Sequence, residues 1–183
     1  MKKILFSLLL FFTLLVSGCQ NIITNNTTTI TTQKPTTTII KEFEDYGMEV
    51  IEIDLDDYVV TITGIYNTVE EVGIYIYLYD KLPSNYQPKS TFKKSNYTPE
   101  NKLSCGGDRF YNREGLLPTR PDRFYTECDI DYRGGGRNAK RIVFSNDDLI
   151  FYTSDHYESF SILRFVWWIL LLIVIYIIRK NYY

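Results

Sequence analysis

The chain is poor in the side chains that hold metals: 183 residues contain one histidine and three cysteines. That scarcity excludes repeated zinc modules, which need four Cys or His ligands per site. Basic charge is not in excess either, since the formal net charge is −2. Nucleic-acid binding over the whole surface is thereby excluded, and any such contact must be a local patch. What remains is 45% apolar and 23% charged residues, a balance that can form a packed core and argues against global disorder. Length leaves room for one catalytic-sized domain with terminal extras.

Both ends are unusually apolar. Residues 1–19 read as an export signal: Lys2 and Lys3 open it, Ile4 to Val16 form the apolar centre, and Ser17-Gly18 precede Cys19. A Cys directly after Val-Ser-Gly resembles the bacterial lipobox, in which that Cys is lipidated, with an ordinary cleaved signal as the alternative. Residues 20–66 read as a Thr-rich disordered tether followed by an acidic spacer. Between Lys41 and Asp57 eight Asp or Glu face one Lys, and the alternation from Val50 to Leu55 has the pattern of a strand. At the far end, residues 165–178 are 14 uninterrupted apolar residues, followed by a short basic and aromatic tail, 179–183. As a helix that run spans about 21 Å, short of the roughly 30 Å hydrocarbon core. Snorkelling by Arg164, Arg179 and Lys180 favours a transmembrane segment over a buried helix. Both ends then imply a secreted domain anchored to the outer face of the cell membrane.

Between these ends lies a domain expected over residues 67–164. Thr68-Val-Glu-Glu71 is a capping box, and Val69, Val72, Ile76 and Tyr79 follow at helical spacing, predicting a helix over 68–80. Strand-like pieces then recur around 105–110, 123–130, 141–145, 149–153 and 159–163, separated by turn residues. Close spacing predicts an antiparallel meander, so the fold class is α+β. Period two puts Tyr125, Glu127 and Asp129 on one strand face, with Cys128 and Ile130 on the opposite, core-facing side. Arg137 and Arg141 lie nearby, either as an ion-pair network or as a phosphate site. His156 sits at a strand–strand corner. A Glu and a His suffice for concerted acid–base chemistry near neutrality, and adjacent cations suit a phosphodiester.

Several ordered motifs then carry a resemblance. Gly106-Gly-Asp-Arg-Phe-Tyr-Asn-Arg-Glu-Gly115, Tyr125-Thr-Glu-Cys-Asp-Ile-Asp-Tyr132, Arg137-Asn-Ala-Lys-Arg141 and Thr153-Ser-Asp-His-Tyr157 are similar to the barnase-like, guanyl-preferring microbial ribonucleases. Lys81 to Tyr86 and Lys89-Ser90 match the family's first helix exit and second helix start. The resemblance implies N-terminal helices packed on a five-stranded antiparallel sheet. It implies Glu127 as general base, His156 as general acid, and Lys89, Arg137 and Arg141 as cations around the phosphate. The loop Phe110, Tyr111, Asn112, Arg113, Glu114 would read guanine, and Tyr157 would line the cleft. Asp129 would support the two arginines, and Asp108 would stand near Lys89.

The implied reaction on single-stranded RNA gives a 2′,3′-cyclic phosphate 3′ to guanosine, then its hydrolysis. The ribose 2′-OH is an internal nucleophile, so neither metal nor cofactor is called for, and DNA is inert. The competing reading is a catalytically impaired surface module that binds RNA or protein on the same scaffold. A toxin directed at other cells is a third reading, which double anchoring disfavours. A monomer is expected, and a producer would need a barstar-like inhibitor. The segment between Lys89 and Gly106 is short for the family, implying a truncated second helix. Cys105 and Cys128 lie on neighbouring strands, either as a disulfide, permitted outside the cell, or as two small buried thiols.

Overall fold

The structure, a computed structural model, describes residues 47–168, 172–173, 175–177 and 180. The export signal with Cys19, the tether up to residue 46 and the final residues 181–183 lie outside the described residues.

Strand β1 spans Glu49–Asp54, helix α1 Val69–Tyr79, and β2 Tyr86–Gln87. They are followed by β3 (Ser104–Phe110), β4 (Tyr125–Asp129), β5 (Arg141–Ser145), β6 (Ile150–Thr153) and β7 (Ser161–Val166). Helix α1 starts where the capping box predicts. The Thr68 hydroxyl oxygen accepts from the Glu71 amide, although the Glu71 carboxylate takes the Thr68 hydroxyl proton (3.0 Å) instead of reaching the Thr68 amide. The helix ends at Asp80, whose left-handed backbone (φ 54°) lets its N–H close onto the Ile76 carbonyl.

The sheet has seven strands in the order β1-β7-β6-β5-β4-β3-β2. Its centre, β3 to β7, is the expected five-stranded antiparallel meander. The two edges differ from expectation: β1 pairs parallel with β7, and the two-residue β2 pairs parallel with β3. The sheet is therefore mixed. Residues 49–54, read as acidic spacer, are an integral strand because Ile53 and the following Leu55 are buried in the core. The expected helix after Lys89 is reduced to one 3₁₀ turn, Lys94–Asn96. Too few residues separate Lys89 from β3 to lay a full helix there and still return to the sheet.

Core side chains occupy both sheet faces. On the helix side, Val72 and Ile76 of α1 meet Cys128, Ile142, Ile150 and Leu163. Gly73 permits that approach, since a Cβ there would come within 3.0 Å of Leu163 and 3.3 Å of Phe165. On the other side Leu117, Tyr125, Val143, Phe151 and Phe160 form a second cluster. The face carrying Glu127 is thus partly hydrophobic, because Leu117, Leu149 and Phe160 from the loops pack on Tyr125, Val143 and Phe151 of the strands.

The C-terminal apolar run is also divided differently. Phe165 and Val166 belong to β7, and Phe165 stacks on Tyr77 at 4.6 Å. The described residues beyond Trp167 are helical, with Trp168, Leu172, Ile173 and Tyr176 exposed. Among the described residues no helix is long and apolar enough to cross a membrane.

Candidate active site

The site is assembled on the second face of the sheet. A bulge at Gly106-Gly107, with Gly107 at φ 99°, shifts the β3 register so that Gly106 opposes Cys128 but Asp108 opposes Glu127. Asp108 and Phe110 are thereby aligned on the Glu127 face. Asp108 accepts the Lys89 backbone N–H at 2.8 Å, fixing the start of the segment that carries Lys89.

Glu127 is buried, and each carboxylate oxygen has a donor. The Lys89 ammonium binds Oε1, and the Tyr157 hydroxyl donates to Oε2 at 2.5 Å. A carboxylate has about four acceptor positions, so Glu127 retains room for a further donor. Burial, and then the Glu127 carboxylate, push the Tyr157 hydroxyl well above its ordinary range. It therefore stays protonated as a donor across physiological pH.

Two residues along β4, Asp129 is almost fully buried and collects both arginines. Arg137 Nε and Nη2 each donate to it at 2.6 Å. Arg141 Nε lies 2.9 Å from the same carboxylate, at ion-pair distance but without hydrogen-bond alignment, while its Nη1 donates to the Asn138 and Lys140 carbonyls. The bonds to Asp129 hold the Arg137 guanidinium above its ordinary value despite partial burial. Lys89 and Arg137 remain reachable from solvent, whereas Arg141 is sealed in the floor. One sheet face thus brings the carboxylates of Asp108, Glu127 and Asp129 together with the cations Lys89, Arg137 and Arg141. A carboxylate able to accept a proton stands beside cations able to hold an anion.

His156 is exposed on the β6–β7 loop, its ring 4.9 Å from that of Tyr157. The loop is an unusual piece of backbone: His156 and Tyr157 are both left-handed, at φ 62° and 75°. Such conformations are costly for residues with a Cβ and persist only when surroundings dictate them. Here the Thr153 hydroxyl accepts the Tyr157 amide (3.1 Å) and donates to Asp155 (2.7 Å). Asp155 in turn accepts the Ser159 amide and hydroxyl, and the His156 amide donates to the Ala139 carbonyl. The bonds from Ser159, then that from Thr153, pull the Asp155 carboxyl down to about 2. Thr153 and Asp155 belong to the motif read from sequence, but neither they nor Ser159 have a role there. Hydroxyl and carboxylate residues two to four apart at a strand end are the loop-closing signal that was there to read.

Tyr157 joins Glu127 to the loop at 110–114. Its ring packs 5.3 Å from Phe110. Asn112, left-handed at φ 45°, spends its side chain inside the loop, donating to the Leu117 carbonyl (2.7 Å) and accepting the Leu117 amide (3.0 Å). Tyr111, Arg113 and Glu114 are exposed, with the Arg113 guanidinium 5.7 Å from the Tyr111 ring centre. Sequence reading put Asn112 among the base-reading residues; its side chain shapes the loop that would do so.

Cys105 and Cys128 are both free and buried. Because Gly106 is the residue opposite Cys128, strand alternation aims Cys105 at the other face, so no disulfide joins them. Burial raises the Cys105 thiol, and the charges around it are Arg137, Asp129, Asp108 and Lys89, which lie on the Glu127 side. Among the described residues no cluster of His, Cys, Asp and Glu has the arrangement of a metal site.

Comparison with known proteins points to one family. A ribonuclease family profile matches residues 70–164. A ribonuclease of Heyndrickxia coagulans is 40% identical over 109 residues, 55% of this chain and 100% of the relative. One of Bacillus intermedius is 40% identical over 124 residues, covering 63% and 76% of the two chains. The guanyl-specific ribonuclease St of Saccharopolyspora erythraea is 42% identical over 57 residues, 31% of this chain and 56% of that one. The profile's span, from the first turn of α1 into β7, contains every catalytic candidate named above, and the chain belongs to the ribonuclease family.

Proposed function

We propose that the protein is an exported, membrane-anchored endoribonuclease that cleaves single-stranded RNA 3′ to guanosine. Glu127 takes the ribose 2′-OH proton, and the resulting alkoxide attacks the adjacent phosphorus. The bond to the 5′-oxygen breaks as His156 gives that oxygen its proton, leaving a 2′,3′-cyclic phosphate. Water then opens the ring with the two roles exchanged. Negative charge gained by the phosphate in the transition state is met by Lys89 and Arg137 at the cleft surface and Arg141 in its floor. Family membership supports RNA as substrate. Guanine preference is supported by similarity to a guanyl-specific relative and by the loop from Phe110 to Glu114, whose ordered backbone and carboxylate match donors on the guanine edge.

The observation that carries this reading is Glu127 held between the Lys89 ammonium and the hydroxyl of Tyr157, whose ring lies 4.9 Å from that of His156. The direct test is end-group analysis of a single-stranded RNA after treatment with the full chain. Fragments ending in guanosine 2′,3′-cyclic phosphate are expected; 5′-phosphate ends, or breaks independent of base, overturn the mechanism or the specificity respectively.

Anchoring rests on the lipobox-like Cys19 and on the apolar side chains Trp167, Trp168, Leu172, Ile173 and Tyr176 exposed after β7. Strand β7 separates the two activities in space. The His156 loop precedes Ser161, whereas the apolar segment follows Val166. Five strand steps set them about 17 Å apart, whereas the 110–124 loop leaves the sheet at the Val166 end of β7.

A further inference from the structure

A second basic and aromatic surface lies on the outer side of the 110–114 loop, away from Glu127. An open cleft of about 200 Å³ is lined by Arg109, Tyr111, Pro118, Arg120 and Phe124, among others. The Arg109 guanidinium sits 4.7 Å over the ring of Phe124. Phe124 is 40% exposed and Tyr111 70% exposed, far more than large aromatic side chains need for packing. Among the described residues Arg109 makes no ion pair, so its N–H groups are free for a ligand while its plane rests on the ring. Arg120 approaches Asp147 only at 3.5 Å, with 67% of its side chain exposed. Asp147 is already engaged by Arg123, which donates from both Nε and Nη2. The walls are held in place: Asn112 clasps Leu117, and Arg123 ties the 118–123 loop to Asp147 and the Pro118 carbonyl.

Flat aromatic and guanidinium faces beside unpaired cationic N–H groups are the means by which proteins hold unpaired nucleotides, the base by stacking and the phosphate by charge. Phe110 lines this cleft and also packs on Tyr157, so one ring borders both the cleft and the side chain bonded to Glu127. We propose that this cleft is an accessory RNA subsite: Arg109, Phe124 and Arg120 bind a nucleotide of the single strand beyond the scissile guanosine step. The inference rests on the ribonuclease reading above and extends it to substrates longer than a dinucleotide. Long strands would be captured at two places, whereas GpU would use the catalytic groups alone.

The test compares kcat/KM for GpU and for a single-stranded RNA octamer containing one guanosine, using the full chain. One stacked base typically contributes enough that Arg109→Ala and Phe124→Ala should each lower the octamer value roughly 5- to 150-fold. GpU cleavage should stay within about twofold, and Phe124→Tyr should restore the octamer rate. Equal losses on both substrates, or no loss on the octamer, overturn the subsite. A parallel binding arm separates this failure from failure of the enzymatic reading. Affinity is measured by anisotropy with a labelled octamer carrying 2′-deoxyguanosine at the cleavage position. Should the wild type cleave neither substrate, weaker octamer binding by Arg109→Ala still upholds the subsite, and unchanged binding overturns it.

Discussion

At the scale of single residues, the most exacting arrangement is the buried carboxylate of Asp129 between Arg137 and Arg141. Removing one partner of a buried ion pair leaves the other charge uncompensated and costs about 3–5 kcal/mol. Asp129→Ala should lose that much unfolding free energy in urea and lose activity with it, because Arg141 is sealed beside it. A loss below about 1 kcal/mol would show that the arginines are held by other bonds. That Glu127 and Asp129 share a sheet face with the arginines was legible from alternation, whereas the roles proposed for them came from the family resemblance. The purposes of Asn112 and Cys105 were not. Asn112 is chemically able to meet a base or to close a loop, and only its bonds to Leu117 distinguish the two. The direction of Cys105 depends on one inserted glycine, Gly107, and pairing of adjacent strands does not reveal a bulge.

At the scale of elements, the loop from Thr153 to Ser159 holds His156 and Tyr157 in left-handed backbone through the Asp155 carboxylate. A carboxyl depressed to about 2 contributes stability that is complete above its unfolded value, near 3.8, and fades as pH falls through the folded one. The Ser159 and His156 amide resonances should therefore hold their positions to about pH 4 and move between about 4 and 2. A transition finished above pH 4.5 would contradict the assignment of Asp155 as the clasp. Strand β1 is the second element with a consequence. Its Ile53 is buried at 3% exposure, and Glu52 pairs with Arg164 of β7. Ile53→Ala should cost about 2–5 kcal/mol, read from the urea midpoint, if β1 is integral to the fold. A negligible change would mark it as detachable. Helix α1 could be read from its capping box because the signal is contained within four residues. The pairing of β1 with β7 could not, since it joins segments more than a hundred residues apart and its acidic composition equally describes a solvated spacer.

At the scale of the whole molecule, the His156 loop and the apolar C-terminal segment lie at opposite ends of β7. The five central strands could be placed from turn residues and alternation, yet the end of the last one could not. Phe165 and Val166 suit a strand and a membrane helix equally, and the choice is made by contact with Tyr77 of α1. Anchoring predicts that the full chain partitions into the detergent phase, and that removal of residues 1–19 combined with truncation after Trp168 moves it to the aqueous phase with activity intact. Aqueous partitioning of the unaltered chain would contradict it. The central claim, that Glu127 and His156 transfer the two protons of one displacement, is tested most directly by the rate of guanosine 2′,3′-cyclic phosphate formation from GpU. Glu127→Ala and His156→Ala should each lower it about 10²–10⁴-fold while the fold persists. A rate within tenfold of wild type in either variant would contradict the account.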